Sequence, residues 1–297
     1  MAFITTSIDV EKGRIMANPI IKWVGGKRQL LPVIKDMMPR KIGTYYEPFF
    51  GGGAVFFDLQ PKKAVINDFN PQLIGMYRSV QGDPDVVKAY LDIYQNCYNG
   101  LPDDQHKSAY YYDLREQFNC KICNNQTDTE AAALLIFLNK AGFNGLYRVS
   151  KCGKYNVPPA HRNQLSLYSD ENYSAVSSAL QNADILCGDF ADAVTDAKKG
   201  DFVFIDSPYF GTFDDYQSGG FSENDHRRLA DVFRSLSQRQ VKCMLTNSNT
   251  DFIKELYQGF HIKTVPVRRM VNSDASNRTG EEVIITNYVS KGGVHHA

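Results

Sequence analysis

The sequence predicts an α/β fold built on a largely parallel sheet, and three observations predict it. Three short strand patterns each run straight into a loop of special residues: Tyr45–Glu47 into Pro48-Phe49-Phe50-Gly51-Gly52-Gly53, 64–66 into Asn67-Asp68, and Phe202–Ile205 into Asp206-Ser207-Pro208-Tyr209. Helical patterns lie between the strands, and such alternation implies parallel pairing through crossover helices. The composition, 43% hydrophobic and 22% charged over 297 residues, is ordinary for a globular chain and excludes disordered, collagen-like and coiled-coil classes.

The elements follow in order. Apolar periodicity predicts helices over 27–38, 71–80, 84–97, 130–139, 223–237 and 251–257. Thr127 and Glu130 have capping-box spacing and mark a helix start. Further strands are expected over 184–187, 241–246, 261–267 and 282–288. The stretch 75–182 reads differently, as a mostly helical insertion. The expected organisation is an N-terminal extension over 1–17 that need not be ordered, a cofactor-binding catalytic domain from 18–74 and 183–290, an inserted domain over 75–182, and a tail over 291–297. Met16 is an alternative translation start, because the first informative motif begins just after it.

The 33 basic and 33 acidic side chains cancel, but they are segregated. Residues 12–41 hold eight Lys or Arg against the single acid Asp36; residues 131–169 hold Lys140, Arg148, Lys151, Lys154 and Arg162 and no acid, while acids such as Asp214, Asp215, Glu223 and Asp225 gather elsewhere. Local basic patches allow nucleic-acid binding in a neutral protein, although solvated faces give the same pattern. The longest apolar run, 131–138, is eight residues, far short of the roughly 20 a spanning helix needs. The N-terminus lacks a basic start followed by an apolar stretch, so a cytoplasmic location with reduced cysteines is expected. Cys120 and Cys123 form a lone CxxC with irregularly spaced partners, and His295 and His296 sit in the tail; no metal site is expected.

The loops carry the chemistry. A strand ending in Gly51-Gly52-Gly53 lets backbone approach a ligand closely, and Asp68, fifteen residues after Gly53, ends the next strand where an acid can accept ribose hydroxyls. Together they point to a nucleoside-containing cofactor, and the spacing is not GxGxxG. Asp206-Ser207-Pro208-Tyr209 supplies a carboxylate, a backbone carbonyl and an aromatic ring, a set suited to the exocyclic amine of a planar base. The same tetrapeptide is equally readable as a strand end closed by a turn.

Taken in order, Lys22-Trp23-Val24-Gly25-Gly26-Lys27, Glu47 to Gly53, Asp68 and Asp206 to Tyr209 resemble the motifs of the Dam-like, α-type DNA adenine-N6 methyltransferases. Leu138-Asn139-Lys140-Ala141-Gly142-Phe143-Asn144-Gly145-Leu146-Tyr147-Arg148, followed by Gly153-Lys154-Tyr155-Asn156-Val157-Pro158, is similar to that family's recognition segment, and Phe221-Ser222-Glu223 and Thr246-Asn247-Ser248-Asn249 fit later segments. The resemblance implies a Rossmann-like S-adenosylmethionine-dependent sheet with an inserted target-recognition domain, double-stranded DNA as partner, and no metal, membrane or obligate protein partner, the chain acting as monomer or weak dimer. It implies cofactor contacts by Trp23, Lys27, Phe49, Gly51, Gly53, Asp68, Asp189 and Asp206, and catalysis by Asp206, Ser207, Pro208 and Tyr209. By the same resemblance Phe143 and Asn144 act around a flipped base, Leu146, Arg148, Pro158 and Lys22 face bases, and Lys140, Lys151 and Lys154 face phosphates. The expected site is GATC or one containing GAT.

Two positions depart from the family pattern. Ser207 replaces the usual Pro, which keeps the carbonyl but loses rigidity, and Pro159-Ala160-His161-Arg162 replaces a Phe-Gly turn. Bland alternatives stand beside these roles: Phe143 as packing under a loop, Arg148 in a surface ion pair. Rival functions are methylation of another planar amine (RNA adenine or protein glutamine) and a degenerate DNA-binding homologue that Ser207 would mark. A nicotinamide-dependent oxidoreductase fails on the glycine spacing.

Overall fold

The computed structural model describes residues 8–9, 14–211, 220–268 and 279–290. Met1, Lys12, much of the N-terminal extension, Asp214, Asp215 and the tail with His295 and His296 lie outside the described residues. Beside a two-residue ladder of Ile8–Asp9 with Arg14–Ile15, the strands are β1 (Tyr45–Glu47), β2 (Ala64–Asp68), β3 (Ala183–Cys187), β4 (Phe202–Ile205), β5 (Lys242–Ser248), β6 (His261–Arg268) and β7 (Thr279–Thr286). The helices are α1 (Leu31–Met37), α2 (Ala54–Leu59), α3 (Pro71–Gly82), α4 (Pro84–Gly100), α5 (Asp104–Cys123), α6 (Thr129–Ala141), α7 (Asp170–Leu180), α8 (Phe190–Ala193), α9 (Glu223–Gln238) and α10 (Asp251–Leu256). The chain divides into two compact units: residues 1–26, 51–61 and 68–187 form the first, and residues 27–50, 62–67 and 188–297 the second.

The second unit carries a sheet in the order β2-β1-β4-β5-β7-β6. β1 runs parallel to β2 and β4, and β4 parallel to β5; β7 is antiparallel to both β5 and β6. The largely parallel expectation therefore holds for the strands that carry the special loops, and β7 alone of these six runs against the rest. Phe202-Val203-Phe204-Ile205 is apolar throughout because both faces of β4 are buried. One face, with Val203, Ile205, Cys243, Leu245, Val283 and Ile285, packs on Leu229, Phe233 and Leu236 of α9. On the other face the Phe202 ring meets Tyr45 and Tyr288, and the Tyr288 hydroxyl donates to the Met37 carbonyl at the end of α1.

The first unit is mainly helical. α6 is buried on nearly all sides, as its unbroken run of Ala, Leu, Ile and Phe requires, and it packs against α3, α4 and α5. Rings of Tyr94, Tyr98, Tyr110 and Tyr111 surround Phe137 at centroid distances of 6.0, 5.9, 5.9 and 6.3 Å. The cap of α6 is Asp128, which accepts from the Ala131 N–H at 2.9 Å, and not Thr127 as the spacing suggested. Thr127 instead covers Gly75, where an added Cβ would fall 2.4 Å from the threonine Cβ.

Each of four helices in this unit uses one asparagine as a backbone clasp. Asn99, Asn119, Asn139 and Asn172 exchange both amide hydrogen bonds with Leu165, Tyr155, Lys22 and Asn18, at 2.7 to 3.2 Å. A side-chain amide offers the same donor and acceptor as a neighbouring strand, so these extended segments are held to helices without a sheet.

Candidate active site

In the first unit the glycine turn is pinned by its neighbours. The Gly51 N–H donates to Asp68 Oδ2 at 2.8 Å, and the Tyr77 hydroxyl donates to the Gly51 carbonyl at 3.0 Å. Gly51 has φ +49°, and a Cβ there would stand 2.8 Å from Trp23 Cδ1, so the Trp23 ring occupies the space a side chain would need. Gly53, also left-handed, starts α2. Asp68 Oδ1 accepts from the Asn70 N–H at 3.0 Å, and Asn70 in turn caps α3. Burial pushes the Asp68 carboxyl above its ordinary range, and the N–H groups of Asn70, Gly51 and Phe69 partly offset this. Three backbone N–H groups share the two Asp68 oxygens, and a carboxylate with about four lone-pair sites keeps acceptor capacity for hydroxyls such as those of a ribose.

The recognition segment forms an irregular hairpin in the same unit. The Phe143 N–H donates to the Pro158 carbonyl at 2.9 Å, Asn156 N–H to Arg148 carbonyl at 3.1 Å, and Ser150 N–H to Lys154 carbonyl at 2.8 Å. Asn139 also donates to the Gly145 carbonyl at 2.8 Å, and Gly145, at φ +66°, leaves room for Lys22 where a Cβ would lie 2.7 Å from Lys22 Cδ. Tyr147 stacks on Trp23 at 5.2 Å. Lys22, Phe143, Asn144, Arg148, Lys151, Lys154 and Pro158 are exposed, and Lys140 and Leu146 are partly so. Phe143 is 51% exposed and is not packing under a loop. The Arg148 guanidinium bonds Asn156 through Oδ1 and the backbone carbonyl and holds no carboxylate among the described residues.

In the second unit β4 delivers Asp206 into a small polar network. Lys27 Nζ lies 2.8 Å from Asp206 Oδ1, with side chains 7% and 19% exposed, and the Thr246 hydroxyl donates to the same oxygen at 2.8 Å. Asp206 Oδ2 and the Ser207 carbonyl take no hydrogen bond from the described residues. Burial holds the Asp206 carboxyl above the usual range, against the pull of Lys27 and Thr246. Tyr209 donates its hydroxyl to Glu282 Oε2 at 2.6 Å, and Lys27 Nζ lies 4.8 Å from the centre of its ring. Burial, then the charges of Asp206 and Glu282, keep the Tyr209 phenol neutral. Pro208 is exposed.

Phe49 stacks on Phe190 at 5.2 Å and meets Phe221 edge-on at 5.6 Å. Asp189 caps α8 and is held by Arg228, with N–O distances of 3.1 and 2.6 Å, so a ligand contact by its carboxylate competes with that pair. Asn67 donates to the carbonyls of Pro48 and Gly188, both at 3.0 Å, and so ties two of the special loops together. All six cysteines are free, and no group of three or more His, Cys, Asp or Glu among the described residues is placed to hold a metal ion.

Residues 23–271 match the model of the D12 class N6 adenine-specific DNA methyltransferase family. The chain belongs to that family. Over 287 residues this D12-class chain is 38% identical to the Type II methyltransferase M1.LlaDCHI of Lactococcus lactis subsp. cremoris, covering 94% of this chain and 98% of that one. It is also 38% identical to the Type II methyltransferase M.MjaIII of Methanocaldococcus jannaschii, over 91% of this chain and 99% of the relative. The DNA adenine methylase of Haemophilus influenzae is 30% identical, over 92% and 94%. The D12-class chain is therefore an adenine-specific DNA methyltransferase, and its family implies S-adenosylmethionine as methyl donor.

Thr246, Asn247 and Glu282 hold the tetrapeptide of this D12-class enzyme, yet motif reading gave none of them a role. A signal existed: β4 and β5 pair Ile205 with Leu245, so the polar residues that end β5 begin opposite Asp206.

Proposed function

We propose that the enzyme transfers a methyl group to N6 of an adenine that has left the stack of duplex DNA, within GATC or a site containing GAT. The observation that carries this reading is the pair of acceptors left unused by the described residues, Asp206 Oδ2 and the Ser207 carbonyl, at the end of a buried strand. An adenine amine presents two N–H groups in the plane of the base, and in duplex DNA one of them is engaged in pairing, so the base must be extruded. The two acceptors take those hydrogens and orient the nitrogen, and the Asp206 carboxylate offsets the positive charge that develops on N6. The Tyr209 ring stacks on the base, with its hydroxyl anchored on Glu282.

S-adenosylmethionine, when bound, supplies an electrophilic sulfonium methyl. By the family resemblance Asp68 accepts the ribose hydroxyls, Gly51 and Gly53 admit the methionine end, Trp23, Lys27 and Phe49 contact the cofactor, and Asp189 contacts its adenine in competition with Arg228; the pinned glycine turn supports the roles of Asp68 and Gly51. On the DNA side, Arg148 and Leu146 with Pro158 and Lys22 read base edges, Phe143 and Asn144 hold the opened strand, and Lys140, Lys151 and Lys154 meet phosphates. Exposure of the hairpin side chains supports this assignment. The test is methyl transfer from labelled S-adenosylmethionine to a plasmid, followed by sequencing that detects N6-methyladenine. Methylation confined to GAT-containing sites is expected; methylation at an unrelated motif overturns the recognition assignment.

A further inference from the structure

Asn247 is buried near the end of β5, opposite Val283. Its Oδ1 accepts from the Phe210 N–H at 3.1 Å and from the Ser248 N–H at 2.8 Å. Its Nδ2 donates to Ser207 Oγ at 3.2 Å. Ser248 adds a bond from its hydroxyl to the Phe210 carbonyl at 2.8 Å. One buried amide therefore holds both ends of the span from Ser207 to Phe210. That span contains the acceptor carbonyl and the Tyr209 ring. Ser207 is itself buried, and its hydroxyl oxygen takes the Asn247 hydrogen.

We propose that Asn247 is a positioning residue for methyl transfer, aiming the Ser207 carbonyl through the Ser207 hydroxyl. This rests on the reading of Asp206 to Tyr209 as the catalytic segment. Pro208 has a fixed φ and biases the residue before it toward extended backbone, but Ser207 still has rotational freedom of its own. A hydrogen bond from a rigid strand to the Ser207 side chain removes that freedom. Proline at 207 would remove it differently, through its ring. The two devices exclude each other: in the intact protein a proline at 207 strips the buried Nδ2 of its acceptor, and an orphaned buried donor is costly. Once Asn247 is gone, the same proline orphans nothing.

The experiment uses the full chain with duplex DNA and S-adenosylmethionine. It measures single-turnover methyl transfer, the steady-state KM values, and thermal unfolding as a check on folding. Asn247→Ala and Ser207→Ala should each slow transfer by about tenfold with little change in cofactor KM, and the double variant should be about as slow as the slower single. Ser207→Pro should slow the wild type but speed the Asn247→Ala enzyme. Ser207→Ala removes only the acceptor of the Asn247 bond, so it serves if Asn247→Ala does not fold. Multiplicative losses in the double variant, a Ser207→Pro effect of the same sign in both backgrounds, or a fast Ser207→Ala enzyme would each overturn the proposal. Asp206→Ala separates the two levels. An active Asp206→Ala enzyme removes the catalytic reading itself, whereas an inactive one beside unimpaired Asn247 and Ser207 variants removes only the positioning role.

Discussion

Replacing Lys27 by Met leaves Asp206 buried with only the Thr246 hydroxyl on its Oδ1. At the 2.8 Å separation of Lys27 Nζ and Oδ1, an effective dielectric of about 20 gives an attraction of roughly 6 kcal/mol. Desolvation of both ions offsets part of this, and removing one partner of a buried pair costs about 3–5 kcal/mol while the other stays charged. Taking about 3 kcal/mol, the ionised form of Asp206 is disfavoured by roughly 100-fold against the protonated form, so the carboxyl moves further up. Burial already holds it above the ordinary carboxylate range, so both effects have the same sign. In the proposed mechanism the ionised carboxylate is the form that accepts the amine, so activity is expected to fall as pH drops through this pKa. Single-turnover methyl transfer across the acid and neutral range, with each enzyme normalised to its own plateau, should show the acid limb of Lys27→Met displaced upward, with normalised activity on that limb lower by up to about 100-fold at the same pH. Stability gives a second readout. A raised folded-state pKa contributes stability that is present below the unfolded value and lost as pH rises through the folded one, and Lys27→Met extends that window upward. A folded Lys27→Met enzyme whose acid limb has not moved would refute the reasoning.

Three further predictions use other contacts. Tyr209→Phe keeps the ring and loses the bond to Glu282, so kcat/KM should fall less than about tenfold, whereas Tyr209→Ala loses the stacking face and should fall roughly 10- to 100-fold; equal losses would place the function in the hydroxyl. Asn139→Ala strands the N–H and carbonyl of Lys22 and the carbonyl of Gly145, and should lower stability by about 2–4 kcal/mol in urea unfolding at unchanged m; an unmoved midpoint contradicts the clasp. Arg148→Ala should relax the methylated site at one base position, while Lys154→Ala should weaken all DNA alike and reduce the salt slope by about one; exchanged phenotypes would swap base and phosphate roles between the two residues.

The catalytic strands were legible because each is a short apolar run that ends abruptly in residues no strand interior wants: the glycines after Phe50, Asp68 after Asn67, and Asp206-Ser207-Pro208 after Ile205. α6 was legible for the same reason, as an apolar block long enough for only one kind of element. α5 was not. Its buried positions, Lys107, Tyr111, Leu114 and Phe118, have helical spacing, but one is a lysine and other tyrosines stand between them, so no clean apolar stripe shows. α7 escaped because it is short and rich in polar residues. The antiparallel return of β7 between β5 and β6 depends on pairing between distant segments, which local periodicity does not encode.

Sequence alone determined which residues could do the chemistry: a carboxylate, a carbonyl and a ring in four positions, a glycine turn with a strand-end acid, and a basic segment without acids. Residue type and local spacing suffice for that, since a side chain's donors, acceptors and charge are intrinsic to it. Tertiary structure decided which of these groups are already spoken for. Among the described residues Lys27 and Thr246 both bind one Asp206 oxygen and none binds the other, Asp189 is taken by Arg228, and the Ser207 hydroxyl is drawn to Asn247, forty residues away. Thr246 and Asn247 come from β5, which parallel pairing sets beside β4, and Arg228 comes from α9; hydrogen bonds and burial act across space, at separations the order of residues along the chain does not record.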